Sequence, residues 1–296
     1  MRRRFATLDV FTNRRFAGNP LAVVLEPDGL DTAAMQTIAR EFNLSETVFV
    51  FAPEGKLNRA KLRIFTPGRE LPFAGHPTVG TAVLLARIDA NARELILEEN
   101  IGPVRCVVRS TGPDSGHATF DLPRLPALAG QTGDSATIAA ALGLSVGDIG
   151  FDGLAPQRWS AGNPFTVVPV RGLEAIARCR VDMTRFEAAF GGDFASPFIV
   201  CRETAEAGNA FHARMFSPGA GIAEDPATGS AAAAFAGYLA AHGDYRDGEH
   251  MVRIEQGYEM GRPSLIELAL KMSGGKLTGA SIGGGAVVVM EGAIEA

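Results

Sequence analysis

One feature of the sequence restricts its fold more than any other: it repeats itself once. Ala17-Gly18-Asn19-Pro20 returns as Ala161-Gly162-Asn163-Pro164, and each copy is followed after two residues by a Val-Val pair. Arg63-Ile64-Phe65-Thr66-Pro67-Gly68 returns as Arg214-Met215-Phe216-Ser217-Pro218-Gly219. His76-Pro77-Thr78-Val79-Gly80-Thr81-Ala82 faces Asp225-Pro226-Ala227-Thr228-Gly229-Ser230-Ala231. The three pairs keep their order and lie 144, 151 and 149 residues apart. Solenoid repeats recur every 20–50 residues or so, which makes this period far too long for one. One domain has been duplicated, and 296 residues is also about the length of two ordinary domains.

Each half has the same coarse pattern. Alternating apolar segments (5–11, 21–25 and 47–51) suit half-buried strands, and a helix over 31–42 separates two of them with Asp31 as its N-cap. Helices are expected at 77–87 and 226–241, strand-rich stretches at 94–108 and 264–271, and a strand at 286–291. The Pro- and Gly-bearing stretch 122–133 reads as a linker. The expected fold class is α+β, with two similar lobes and a cleft between them. Residues 1–123 with 285–296 form one lobe and 124–284 the other.

Composition narrows the function. The 28 Lys and Arg residues are outnumbered by 33 Asp and Glu, and the sole basic cluster is Arg2-Arg3-Arg4. A phosphate-tracking protein carries a basic excess or stripe, so nucleic-acid binding is not expected. No stretch reaches the roughly 18 apolar residues of a membrane span. The three cysteines, 106, 179 and 201, form no C-x-x-C pair, which fits a reduced, cytoplasmic compartment. The histidines show no metal-ligand spacing, and no phosphate-binding loop, dinucleotide fingerprint or G-x-S-x-G elbow is present. Neither a metal nor another cofactor is expected.

The repeated Pro-bearing helix starts carry the strongest chemical signal. Proline favours the first helical position, which would make His76 and Asp225 the N-caps. Asp is a favoured cap and His is not, so His76 has the stronger claim to a function. Helix N-termini attract anions through unpaired N–H donors and the helix dipole. Backbone donors around Gly75-His76 and Gly229-Ser230 are therefore expected to hold a small anionic metabolite and to receive charge as a proton leaves carbon.

These motifs together resemble one family. Asp9-Val10-Phe11-Thr12, Gly18-Asn19-Pro20, Ser45-Glu46-Thr47-Val48-Phe49 and Gly75-His76-Pro77-Thr78-Val79-Gly80 are similar to the first half of the phenazine-biosynthesis PhzF-like family. Glu224-Asp225-Pro226-Ala227-Thr228-Gly229-Ser230-Ala231, Gln256-Gly257 and Gly261-Arg262-Pro263-Ser264 continue the likeness to about residue 292. The resemblance implies a diaminopimelate-epimerase-like fold, each lobe a mixed sheet wrapped around a central helix. It also implies an isomerase that works without cofactor or metal, as in the isomerisation of trans-2,3-dihydro-3-hydroxyanthranilate, and a homodimer. By motif the proton-moving glutamate is Glu46, with His76 and Asp225 as catalytic partners and Ser45, Gly75, Gly229 and Ser230 as substrate-binding positions. Epimerase and proline-racemase cousins use one cysteine per lobe at these helix starts. Neither start here has one, which disfavours a two-thiol racemase. An epimerase or racemase of an amino or hydroxy acid, or a small-metabolite-binding protein without turnover, is the alternative.

Overall fold

A computed structural model describes residues 1–89, 92–191, 196–243 and 245–296. The chain divides into two compact units: Met1–Pro123 with Arg262–Leu265 and Ser281–Ala296, and Arg124–Gly261 with Ile266–Ala280. The first unit takes back Arg262–Leu265 because the Leu265 N–H donates to the Phe11 carbonyl at 2.8 Å. It takes back the chain from Ser281 because Ser281–Val287 pair with residues 115–121.

In chain order the first unit contains β1 (Arg2–Val10), β2 (Asn19–Leu25), α1 (Thr32–Phe42), β3 (Glu46–Phe51), β4 (Ala60–Phe65) and β5 (Glu70–Leu71). There follow α2 (Gly75–Ile88), β6 (Glu94–Glu99), β7 (Gly102–Gly112) and β8 (Ser115–Asp121). The second unit has β9 (Ala127–Leu128), α3 (Ser135–Leu142), β10 (Gln157–Ser160), β11 (Pro164–Pro169), α4 (Leu173–Arg178) and α5 (Met183–Phe190). It continues through β12 (Pro197–Cys201), β13 (Phe211–Ser217), β14 (Ile222–Asp225), α6 (Gly229–His242) and β15 (Gly248–Gln256). The last two strands, β16 (Ser264–Ser273) and β17 (Lys276–Glu295), supply segments to both units.

The first unit's strands form a closed ring. β1 pairs with β2, β2 runs parallel to β3, β3 pairs with β4, and β4 runs parallel to β6. β6, β7 and β8 form antiparallel pairs, and β17 joins β8 back to β1. Closure leaves no open edge around α2, whose residues Gly75–Leu85 are all buried. Such close wrapping needs a missing side chain: a Cβ on Gly80 would lie 2.6 Å from Leu21 and 2.7 Å from Val10. The second unit repeats the pairing sense of the first. β10 pairs with β11, β11 runs parallel to β12, β12 pairs with β13, and β13 runs parallel to β15. In this repetition α6 is the counterpart of α2, and it is buried from Ala231 to Leu239.

Local chemistry explains several boundaries. Asp31 caps α1 by accepting the Ala34 N–H at 2.8 Å, as expected from sequence, and Asn43 ends the helix in the left-handed region. The starts of α2 and α6 differ from expectation. α2 begins at Gly75 with Ala74 as its cap, so His76 and Pro77 lie inside the first turn. The N–H groups of a first turn have no intrahelical acceptor, so proline is accommodated there as well as at the first position. α6 begins only at Gly229, and Asp225 is the last residue of β14 rather than an N-cap. Side-chain bonds from Thr228 and Gln256 hold residues 225–228 in a turn instead.

Candidate active site

In the first unit, Ser45 and Glu46 arrive at the start of β3, and Gly75 and His76 at the start of α2. The fold brings Glu46 and His76 together: Oε2 of Glu46 lies 3.4 Å from Nε2 of His76, with side chains 11% and 4% exposed. Asn19, first residue of the adjacent β2, places its amide nitrogen 3.2 Å from His76 Nδ1. Burial lowers the imidazole pKa to about 3, against a raising hydrogen bond to the Pro20 carbonyl, so the ring is neutral near pH 7. An Asn19 N–H donated to Nδ1 puts the ring proton on Nε2, facing Glu46, whereas a proton on Nδ1 goes to Pro20 and leaves Nε2 an acceptor. Oε2 and Nε2 are close neighbours but not hydrogen-bonded to each other as they stand.

Asn19 is aimed by a network of its own. The Asp9 carboxylate accepts the Phe16 N–H at 2.6 Å and Arg262 Nη2 at 2.5 Å. Arg262 also donates to the carbonyls of Ala17 and Gly18. Three sequence motifs, around Asp9, Asn19 and Arg262, thus meet at the β1–β2 turn. Gly18 has φ +66°, and a Cβ there would sit 2.3 Å from the Val10 carbonyl oxygen, so the turn demands glycine.

In the second unit, Asp225 is buried, Gly229 opens α6 and Ser230 follows it half-buried. Thr228 Oγ1 donates to Asp225 Oδ2 at 2.5 Å. Gln256, at the end of β15, accepts the Thr228 N–H at 3.1 Å and donates to the Asp225 carbonyl at 2.7 Å and to Thr228 Oγ1 at 3.1 Å. The carboxylate is therefore oriented by a neutral amide acting through a hydroxyl.

The duplication extends to the framework around these groups. Arg63 makes a bidentate pair with Glu70 at 2.8 and 2.6 Å and lies over the Phe65 ring. Arg214 repeats this with Glu224 at 2.7 and 2.8 Å, over Phe216. Glu98 accepts the N–H groups of Glu54 and Gly55 and the Asn58 amide. Glu255 does the same for Ala205, Glu206 and Asn209.

The sequence profile of the phenazine biosynthesis-like (PhzC-PhzF) family matches residues 8–292. The chain belongs to this family. An uncharacterized isomerase of Mesorhizobium japonicum is 51% identical over 296 residues, covering 98% of each chain. The trans-2,3-dihydro-3-hydroxyanthranilate isomerase of Pseudomonas fluorescens is 36% identical over 291 residues, again covering 98% of each. Among solved structures, a PhzF-family phenazine biosynthesis protein of Bacillus anthracis superposes with a TM-score of 0.88 at 28% identity, covering all of both chains. The expected α+β fold of the diaminopimelate-epimerase type is thus the fold of this PhzF-like chain, and its named relatives are isomerases.

In the sequence of this PhzF-like chain Asn19 and Gln256 stand out only as parts of motifs, and Glu99 belongs to none. The return of Asn19 as Asn163 in the repeat was the available signal for the first. The three thiols are all buried, and burial pushes Cys179 and Cys201 up to about 12 and Cys106 further still. Among the described residues no group of three or more His, Cys, Asp or Glu side chains is arranged to hold a metal. No helix among them is long and apolar enough to cross a membrane.

Proposed function

We propose that this protein is a cofactor- and metal-independent isomerase that moves a proton on a small anionic cyclic amino or hydroxy acid. The isomerisation of trans-2,3-dihydro-3-hydroxyanthranilate is its nearest chemical precedent. The observation that carries the reading is the buried Glu46–His76 pair at 3.4 Å, in a chain 36% identical to an isomerase of that substrate.

Glu46 is the proton carrier: its carboxylate takes a proton from substrate carbon and returns it elsewhere on the same molecule. The neutral His76 ring orients a polar group of the substrate and buffers the proton on Glu46. Asp225 orients a substrate donor, and its hydrogen-bonded partners Thr228 and Gln256 support it in that role. Ser45 and Ser230 contribute hydroxyls. The N–H groups of the first turns at Gly75 and Gly229, which have no intrahelical acceptor, are the donors for a substrate carboxylate and for developing charge. Burial of all three thiols supports the acid–base reading over a thiol-based racemase. Turnover of trans-2,3-dihydro-3-hydroxyanthranilate by the purified protein tests the substrate class. A rate indistinguishable from the uncatalysed one would remove this substrate from the proposal.

A further inference from the structure

Glu99 closes β6 as a fully buried carboxyl that the proton transfer above does not use. Its Oε1 lies 2.6 Å from Thr78 Oγ1, and Thr78 Oγ1 lies 2.8 Å from the Ala74 carbonyl oxygen. A threonine hydroxyl has one proton, and a carbonyl can only accept. With that proton given to Ala74, the proton in the Glu99–Thr78 contact must come from Glu99. The second unit has a related chain that starts from an amide: Gln256 Nε2 donates to Thr228 Oγ1, and Thr228 donates to the Asp225 carboxylate. Glu99 and Gln256 are the last residues of the equivalent strands β6 and β15.

We propose that Glu99 is a positioning residue, held as a neutral acid that donates to Thr78 and so fixes the first turn of α2 around Gly75 and His76, as Gln256 fixes the turn at Asp225. Its importance for turnover rests on the reading of Glu46 and His76 given above. Burial supports the neutral state by pushing Glu99 up to about 8, although the Thr78 hydroxyl and the Ala74 N–H would favour an ionised carboxylate by donating to it. Of the groups around it, Cys106 on β7 is a buried thiol pushed well above its usual range, with Asp121 of β8 acting on it. On β4, Lys61 and Arg63 are engaged by Glu54 and Glu70. On α2, His76 is held neutral. Ionising Glu99 removes the donor to Thr78 and turns the hydroxyl proton to the carboxylate, leaving the Ala74 carbonyl with only the Thr78 N–H at 3.3 Å and loosening the turn.

The test follows the carbon-13 signal of the His76 ring in the whole protein, across about pH 6 to 9.5. The ring itself does not titrate in that window, because its pKa is about 3. In wild type the signal should shift with a midpoint near 8. In Glu99→Gln it should stay at the wild-type low-pH position throughout, since the amide still donates to Thr78. Thr78→Val keeps the shape and removes the relay, and there the signal should also stop responding. A wild-type signal that stays flat overturns the proposal. So does an equal shift in Glu99→Gln, which would assign the titration to another group such as Glu46. Failure to turn over trans-2,3-dihydro-3-hydroxyanthranilate would count against the proposed reaction alone and leave this titration unchanged.

Discussion

His76 and Glu99 pull the stability of the protein in opposite directions with pH. The folded pKa of His76, about 3, lies below its ordinary 6.5, so its contribution is complete above about 6.5 and is lost as pH falls towards 3. That of Glu99, about 8, lies above its ordinary 4.5, so its contribution is complete below about 4.5 and is lost as pH rises towards 8. Each slope is at most about 1.4 kcal/mol per pH unit, and the two cancel between roughly pH 4.5 and 6.5. Urea unfolding of Glu99→Gln should therefore show a gain over wild type that grows from about pH 4.5 to 8 and then levels off. His76→Asn should show a gain that grows as pH falls from about 6.5 to 3. A difference from wild type that is constant with pH would contradict the assigned state of that residue. None of this was legible in the sequence, where Glu99 is one acidic residue in the run Glu98-Glu99-Asn100. What sets it apart is the path of β6, which turns its side chain inward against Thr78.

The repeated Arg-x-Phe segments are a matched experiment in burial. Arg214 and Glu224 are 5% and 17% exposed, whereas Arg63 and Glu70 are 22% and 23% exposed. Arg214→Met leaves a largely buried carboxylate without its partner and should cost about 3–5 kcal/mol by chemical denaturation. Arg63→Met should cost clearly less, because solvent screens Glu70 better. Equal losses would show that burial is not what separates the two pairs. At this scale the sequence revealed element types better than element ends. Capping chemistry placed α1 correctly, because Asp31 obeys a local rule. The rule that puts proline first in a helix misplaced the starts of α2 and α6, which are decided by distant partners such as Gln256. The strand-rich stretch expected over 94–108 is a hairpin that reverses at Asn100-Ile101. A local signal existed: the buried positions are odd before the turn (Leu95, Leu97) and even after it (Val104, Cys106, Val108).

For the whole molecule, the duplication was readable because turns and helix starts constrain their residues tightly. Residues 285–296 were expected in one lobe with 1–123, but nothing local shows that residues 281–295 close the first unit's sheet by pairing with β8 and β1. Buried, weakly acidic thiols predict that iodoacetamide at neutral pH leaves activity intact. Complete inactivation prevented by substrate would instead place a thiol among the catalytic groups. A homodimer, expected from the family, corresponds to a light-scattering mass of twice 31.1 kDa at micromolar concentration. A mass near 31.1 kDa would contradict it. The central claim is that Glu46 carries a proton to and from substrate carbon. Its most direct test is mass spectrometry of trans-2,3-dihydro-3-hydroxyanthranilate incubated in D₂O with wild type and with Glu46→Gln. Carbon-bound deuterium should appear in the wild-type product, and the rate should be lower by roughly 10²–10⁴-fold in the variant, with ligand affinity little changed. Product formation by Glu46→Gln at the wild-type rate would contradict it and make His76 the leading candidate for the proton carrier.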